Sequence, residues 1–241
     1  AKAEIEKNLL GAVAKNKISE ADKTATLSRI SFSADVNSLK ADLIIEAIVE
    51  KLEVKRELFQ KLAEINSAET ILATNTSSIP VTRIAKDISN PQRIVGMHFF
   101  NPAHLMKLVE VISGAETSKE VAETIKQLST TIGKTPIMCN DSPGFITNRV
   151  ARHYYVESLK MLEEKLAPVE TIDVLMESAG FKMGPFKLMD HVGNDINFAV
   201  TSSLFESFHH DAKFRPSRIQ QQKVDAGHLG KKTGKGFYNY S

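Results

Sequence analysis

Apolar side chains recur at Ile5, Leu9, Ala12 and Val13, a spacing that predicts a helix over residues 1 to 17. Ser19, followed three positions on by Asp22, reads as the N-terminal cap of a second helix running towards Arg29. From Ala41 the pattern changes to short apolar runs alternating with helical periodicity. Leu43-Ile-Ile-Glu-Ala-Ile, Thr70-Ile-Leu-Ala-Thr, Ile94 to Phe100, Leu108 to Ile112 and Thr135 to Cys139 read as strands. Leu52 to Ile65, Pro80 to Ile88 and Glu120 to Ile132 read as helices. Strands alternating with helices predict an α/β fold, a doubly wound, mostly parallel sheet with helices on both faces.

After Asn140-Asp-Ser-Pro-Gly the character changes, because Phe145 to Leu166 has long helical periodicity and no later run reads as a strand. The domain boundary is therefore placed near residue 140, between an α/β domain over 1–140 and an all-helical domain over 141–241. Turn signals at Gly180, Gly184-Pro185, Pro216 and Gly227 break the second part into several helices.

Composition narrows the class. Hydrophobic residues make up 42% of the 241 and charged residues 25%, ordinary proportions for a globular protein. A formal charge of +2 with dispersed basic residues argues against a nucleic-acid partner. No apolar stretch approaches the ~20 residues that span a bilayer, and the first residues lack a signal peptide's continuous apolar core. Cys139 is the single cysteine, so no intrachain disulfide forms, and a reducing interior such as cytoplasm fits best.

Two residues stand out chemically. His98 ends an apolar strand just before the turn-forming Asn101-Pro102, and strand ends are where α/β sheets carry functional groups. Glu110 is the only charge within Leu108-Val-Glu-Val-Ile, where a carboxylate is costly unless a donor satisfies it. If the two strands form a hairpin centred near His104, residues 98 and 110 fall opposite one another. A Glu that accepts from one ring nitrogen leaves the other free to take a proton from a substrate hydroxyl. The pair suits a dehydrogenase, an esterase or a metal site equally well.

Other features are open to plainer readings. Asn75-Thr-Ser-Ser follows a strand, and Ser77 or Ser78 could cap the helix after Pro80. Asn148 lies near the start of a long helix, where a solvated side chain is ordinary. Cys139 reads as a small buried strand residue, and Gly230-Lys-Lys-Thr-Gly-Lys-Gly-Phe-Tyr as a basic, flexible surface tail. No Gly-x-Gly-x-x-Gly occurs; Gly234-Lys-Gly236 is followed by Asn239.

Taken in order, several segments resemble the L-3-hydroxyacyl-CoA dehydrogenase family, especially its bacterial 3-hydroxybutyryl-CoA members, over nearly the whole chain. They are Ala41-Asp-Leu-Ile-Ile-Glu-Ala-Ile-Val-Glu, Asn75-Thr-Ser-Ser, His98-Phe-Phe-Asn-Pro, Met106-Lys-Leu-Val-Glu-Val-Ile, Asp141-Ser-Pro-Gly-Phe-Ile-Thr-Asn-Arg, Met183-Gly-Pro-Phe and the Gly230 to Tyr238 run. The resemblance implies hydride transfer between a 3-hydroxyacyl-CoA of short chain and a nicotinamide cofactor. It makes His98 the general base, Glu110 its orienting carboxylate, and Ser77 and Asn148 the groups bonding the reacting oxygen. It assigns Glu50, Lys55, Ser77, Asn101 and Lys232 to the cofactor, Asn8, Lys15 and Ser77 to coenzyme A, and a homodimer contact to the helical domain.

The departure from the family lies at the start, where its members have a strand, a glycine-rich turn and a strand ending in an acidic residue. Those elements cradle the pyrophosphate and read the ribose, so the choice between NAD and NADP stays open. The chain is expected to be a truncated form whose Rossmann-like sheet is missing its first strands, with weak cofactor binding and an exposed sheet edge. Two other readings stand beside it: a non-catalytic folding or dimerisation module, and a dehydrogenase of a free hydroxy acid.

Overall fold

The structure, a computed structural model, describes residues 2 to 240. Contacts divide the chain into two units, Ala1–Lys40 and Ala41–Ser241. The first contains two helices, α1 (Lys2–Ala14) and α2 (Glu20–Ser28). Helix α2 starts where the sequence predicts: the Ser19 hydroxyl accepts from the Asp22 N–H at 3.1 Å, and the Asp22 carboxylate accepts from the Ser19 N–H at 3.0 Å. This reciprocal box satisfies two amides that a helix start otherwise leaves without partners.

The second unit is built on a five-stranded sheet whose strands lie in chain order: β1 (Leu43–Glu46), β2 (Ile71–Thr74), β3 (Ile94–Phe99), β4 (Leu108–Ser113) and β5 (Thr135–Asn140). β1–β2, β2–β3 and β4–β5 pair in parallel; β3–β4 is antiparallel. The connecting helices are α3 (Leu52–Ile65), α4 (Val81–Ala85) and α5 (Lys119–Thr131). Helix α3 buries Lys55, Phe59, Leu62 and Ala63, one stripe at helical spacing.

The two faces of the sheet have different duties. Val95, Met97, Val109 and Val111 share one face and pack with Ala73 and with Ile125 of α5. Because side chains alternate along a strand, Gly96, His98, Glu110 and Ile112 point the other way. That face lies against α4: a Cβ built on Gly96 would meet Ile112 Cβ at 2.7 Å and Val81 Cγ2 at 3.0 Å. Glycine here lets α4 close down on the sheet two residues before His98.

After β5 come α6 (Thr147–Glu163), α7 (Val169–Ser178), α8 (Pro185–Val192), α9 (Asn194–Ser207) and α10 (Arg218–Asp225). Their core gathers Tyr155, Leu159, Ile172, Phe186 and Met189. The predicted fold class, a mostly parallel α/β sheet followed by helices, is the one observed. No helix among the described residues is long and apolar enough to cross a membrane.

Candidate active site

The β3–β4 register pairs His98 directly with Glu110, as a hairpin centred near His104 requires. His98 Nδ1 lies 2.9 Å from Glu110 Oε2, and both side chains are buried. The other carboxylate oxygen accepts the backbone N–H groups of Ile146 at 3.0 Å and Thr147 at 2.8 Å, at the start of α6. Burial by itself would raise the Glu110 pKa; the bonds from His98, Thr147 and Ile146 outweigh it and hold the carboxyl below its ordinary value. An ionised carboxylate has no proton to give, so the contact requires a proton on Nδ1, and in the neutral imidazole the lone pair is then on Nε2. Phe100 and Phe145 pack against the imidazole, at ring-centre distances of 4.5 and 5.8 Å. Phe145 is itself held at φ 50°, a left-handed conformation unusual for a bulky residue.

A ring of hydrogen bonds ties three further segments to this pair. Asn75 Oδ1 accepts the N–H of Phe99 at 2.8 Å, fixing the turn after β2 beside the end of β3. Asn148 Nδ2 donates to the Ser77 carbonyl at 3.2 Å, joining that turn to the start of α6. The adjacent Thr147 N–H closes the circuit on Glu110. His98, Glu110, Ser77 and Asn148 therefore sit on segments bound to one another, and the solvated reading of Asn148 gives way to a bonded one.

The capping expectation for Ser77 and Ser78 is overturned. Helix α4 is capped from 60 residues away by Asp141, whose two oxygens accept the N–H groups of Val81 (3.0 Å) and Thr82 (2.8 Å). The serine turn instead converges on Glu50: Oε1 accepts from Thr76 Oγ1 (2.7 Å), Ser77 N (2.9 Å), Ser78 N (3.1 Å) and, at 3.3 Å, each serine hydroxyl. Burial pushes the Glu50 pKa up, but the Thr76 bond, the Lys55 charge and the Ser77 N–H together lower it.

Lys55 is only 1% exposed and is shared between Glu46 (2.7 Å) and Glu50 (3.2 Å). Its ammonium thus has a structural occupation as well as the ligand role the resemblance gives it. Glu46 was missed by the sequence reading, although it is the lone charge in an apolar strand, the same signal that singled out Glu110. Among the other expected residues, Asn101 is exposed in the turn after β3, and Lys232 forms an ion pair with Asp195 at 2.6 Å. Asn8 on α1 and Lys15 just beyond it are exposed in the first unit.

Two composition-based readings need correction. Cys139 is half-buried on the edge strand β5, where desolvation, then the Glu110 and Asp141 charges, push its thiol pKa up to about 12. The Gly230 to Tyr240 segment is pinned rather than flexible. The buried Asp190 carboxylate accepts from Phe237 N, Tyr238 N and Tyr240 Oη, each at 2.9 Å. Tyr238 Oη also donates to the buried Asp173 at 2.9 Å.

Residues 1–142 match the family profile described as 3-hydroxyacyl-CoA dehydrogenase, NAD binding domain, and residues 144–240 match the C-terminal domain of the same enzyme. The chain belongs to the 3-hydroxyacyl-CoA dehydrogenase family. It is 50% identical over 230 residues to a 3-hydroxyadipyl-CoA dehydrogenase of Escherichia coli K12, covering 95% of this chain and 48% of that protein. A probable 3-hydroxybutyryl-CoA dehydrogenase of Deinococcus radiodurans is 42% identical over 241 residues, covering 99% of this chain and 86% of the relative. The crystal structure of an E. coli K12 3-hydroxybutyryl-CoA dehydrogenase superposes with a TM-score of 0.96 at 48% identity, covering 99% of this chain and 51% of that one. The chain thus spans about half the length of its E. coli relatives.

The carboxyl ends of the parallel strands bring together polar groups of the kind that would hold a nicotinamide cofactor. β1, β2 and β3 are parallel neighbours, so Glu50 and the Ser77 turn, which follow β1 and β2, gather at the same rim of the sheet as His98 near the end of β3. Glu50 Oε2 stays outside the serine turn, 3.2 Å from the Lys55 ammonium, on a side chain 35% exposed.

Proposed function

We propose that the protein interconverts a (3S)-3-hydroxyacyl-CoA and the 3-ketoacyl-CoA, using NAD. The observation that carries this reading is the buried His98–Glu110 pair, in which the carboxylate holds the proton on Nδ1 at 2.9 Å. Nε2 is then the site that takes the hydroxyl proton as the substrate carbon loses its hydride, and Glu110 stabilises the resulting imidazolium. Bound NAD supplies the hydride acceptor. The Ser77 hydroxyl and the Asn148 carboxamide hold the reacting oxygen, so that charge developing there meets fixed donors.

Glu50, Lys55, Ser77, Asn101 and Lys232 hold the cofactor in this reading, and Asn8, Lys15 and Ser77 the coenzyme A portion. Short acyl groups are favoured by the names of the relatives, which act on 3-hydroxybutyryl and 3-hydroxyadipyl thioesters. The division into a cofactor-binding part over 1–140 and a helical part over 141–241 belongs to the same proposal. So does a homodimer through the helices, supported by Val174 and Leu175 of α7, exposed at 58% and 59%. A cytoplasmic setting fits a chain with one cysteine.

The test is His98→Gln in the whole protein, assayed with acetoacetyl-CoA and NADH. Turnover is expected to fall by about 10³-fold or more with cofactor affinity unchanged; surviving turnover refutes His98 as the base. Activity on free acetoacetate equal to that on the thioester would refute the coenzyme A assignment.

A further inference from the structure

Glu46 lies at the carboxyl end of β1, in register with Thr74 of β2 and 3% exposed. Its Oε1 accepts the Ile48 N–H at 2.6 Å and the Lys55 ammonium at 2.7 Å; its Oε2 accepts the Thr74 hydroxyl at 2.7 Å. Every donor is itself on the backbone or buried, so the carboxylate is locked to both strands. Lys55 then extends 3.2 Å to Glu50 Oε2, and Glu50 Oε1 gathers the amides of Ser77 and Ser78.

The asymmetry of this chain of contacts sets its direction. Glu46 is buried and fixed on three sides, whereas the Glu50 side chain is 35% exposed and lies beyond the end of β1. A partly exposed carboxylate holding several amides on one oxygen needs an anchor on the other to keep it from swinging into water. Lys55 is that anchor only while something holds Lys55. Two carboxylates share one ammonium here, so the cluster carries a net negative charge, an arrangement costly to bury unless every oxygen is bonded.

We infer that Glu46 is a positioning residue for the catalytic turn: through Lys55 and Glu50 it sets where the Ser77 hydroxyl is presented. The inference rests on the proposed role of Ser77, but its first link can be tested without turnover. In Glu46→Gln the amide keeps a carbonyl for Ile48 or Thr74 and loses the charge that holds Lys55. Lys55 is then free to follow Glu50 outward, and the Ser77 and Ser78 amides lose their acceptor.

The experiment is amide hydrogen exchange read residue by residue by NMR in the whole protein, with Ile125→Val as a control for general loss of stability. Ser77 and Ser78 are expected to exchange at least about tenfold faster in Glu46→Gln than in a control of equal melting temperature. Exchange within twofold of the control overturns the inference. Should the amide variant fail to fold, Glu46→Asp keeps the charge and withdraws it by one methylene; unchanged exchange at both serines there overturns it equally. In the kinetic arm, Glu46→Gln is expected to lower kcat tenfold or more with little change in the KM for the thioester. Fast exchange with unaltered kcat would keep the positioning link and instead remove Ser77 from the reaction.

Discussion

Replacing Glu110 by glutamine separates the chemistry of the His98 pair from its contribution to folding. Three donors converge on this carboxylate: His98 Nδ1 at 2.9 Å and the N–H groups of Ile146 and Thr147 at 3.0 and 2.8 Å. Removal to alanine would leave the buried His98 Nδ1 and two part-buried amides without acceptors, at up to about 1–3 kcal/mol each. The sum, on the order of 3–9 kcal/mol, rivals a typical domain's whole stability of about 5–15 kcal/mol. Alanine would therefore report unfolding. A carboxamide has the same shape but a single acceptor oxygen, and that oxygen stays with the two backbone donors because two bonds outweigh one.

The amide NH₂ then faces His98 Nδ1, and two N–H groups cannot share that contact. The imidazole answers by moving its proton to Nε2, the nitrogen that the proposed reaction needs empty to accept the substrate's proton. A carboxylate-to-carboxamide change has this effect in hydrolase triads, where the wrong tautomer lowers kcat by about 10⁴. Four factors of ten correspond to about 5.4 kcal/mol of barrier at 1.36 kcal/mol each. The folding cost is smaller, about 1–2 kcal/mol for exchanging a charge-assisted bond for a neutral one, or a melting shift of a few degrees. The assay is acetoacetyl-CoA reduction in the whole protein, beside a thermal melt and ¹⁵N detection of the His98 ring proton. Turnover within tenfold of the parent, or a proton still on Nδ1, would refute the tautomer argument.

Two further outcomes follow from the same contacts. Glu110 and Glu50 both titrate below their ordinary 4.5 in the folded chain, so the stability they confer is complete above that value and drains away as pH falls through the folded pKa. Urea unfolding between about pH 6 and 3 should show stability dropping on the acid side, with a shallower drop in Glu110→Gln; equal slopes would contradict the assignment. Asp141→Ala removes the remote cap of α4 and should cost about 0.5–2 kcal/mol. A melting temperature unchanged within a degree would show that water replaces the cap at no loss.

What the sequence could disclose divides by the range of the physics involved. The strand and helix limits, the Ser19 box and the opposition of His98 to Glu110 all depend on neighbours along the chain or on the symmetry of one hairpin. Ser77 was misread by the same local logic: a short hydroxyl before Pro80 has the composition of a cap, and nothing nearby reveals that Asp141 already fills that post. The C-terminal segment failed for a related reason. Glycines and lysines suggest mobility, yet Gly236 lies where a Cβ would come within 2.0 Å of Asp190 Oδ1, so that glycine lets backbone close on a buried carboxylate. Asp190 sits on α8, 46 residues earlier, and carries no local mark of the partner it will bind. Glu46 differs from both, because a lone charge in an apolar strand is visible in sequence. Burying it demands donors, and here those donors lead to Lys55, Glu50 and the turn that carries Ser77. Glu110 obeys the same rule: an isolated carboxylate in an apolar strand marks where donors from distant segments converge.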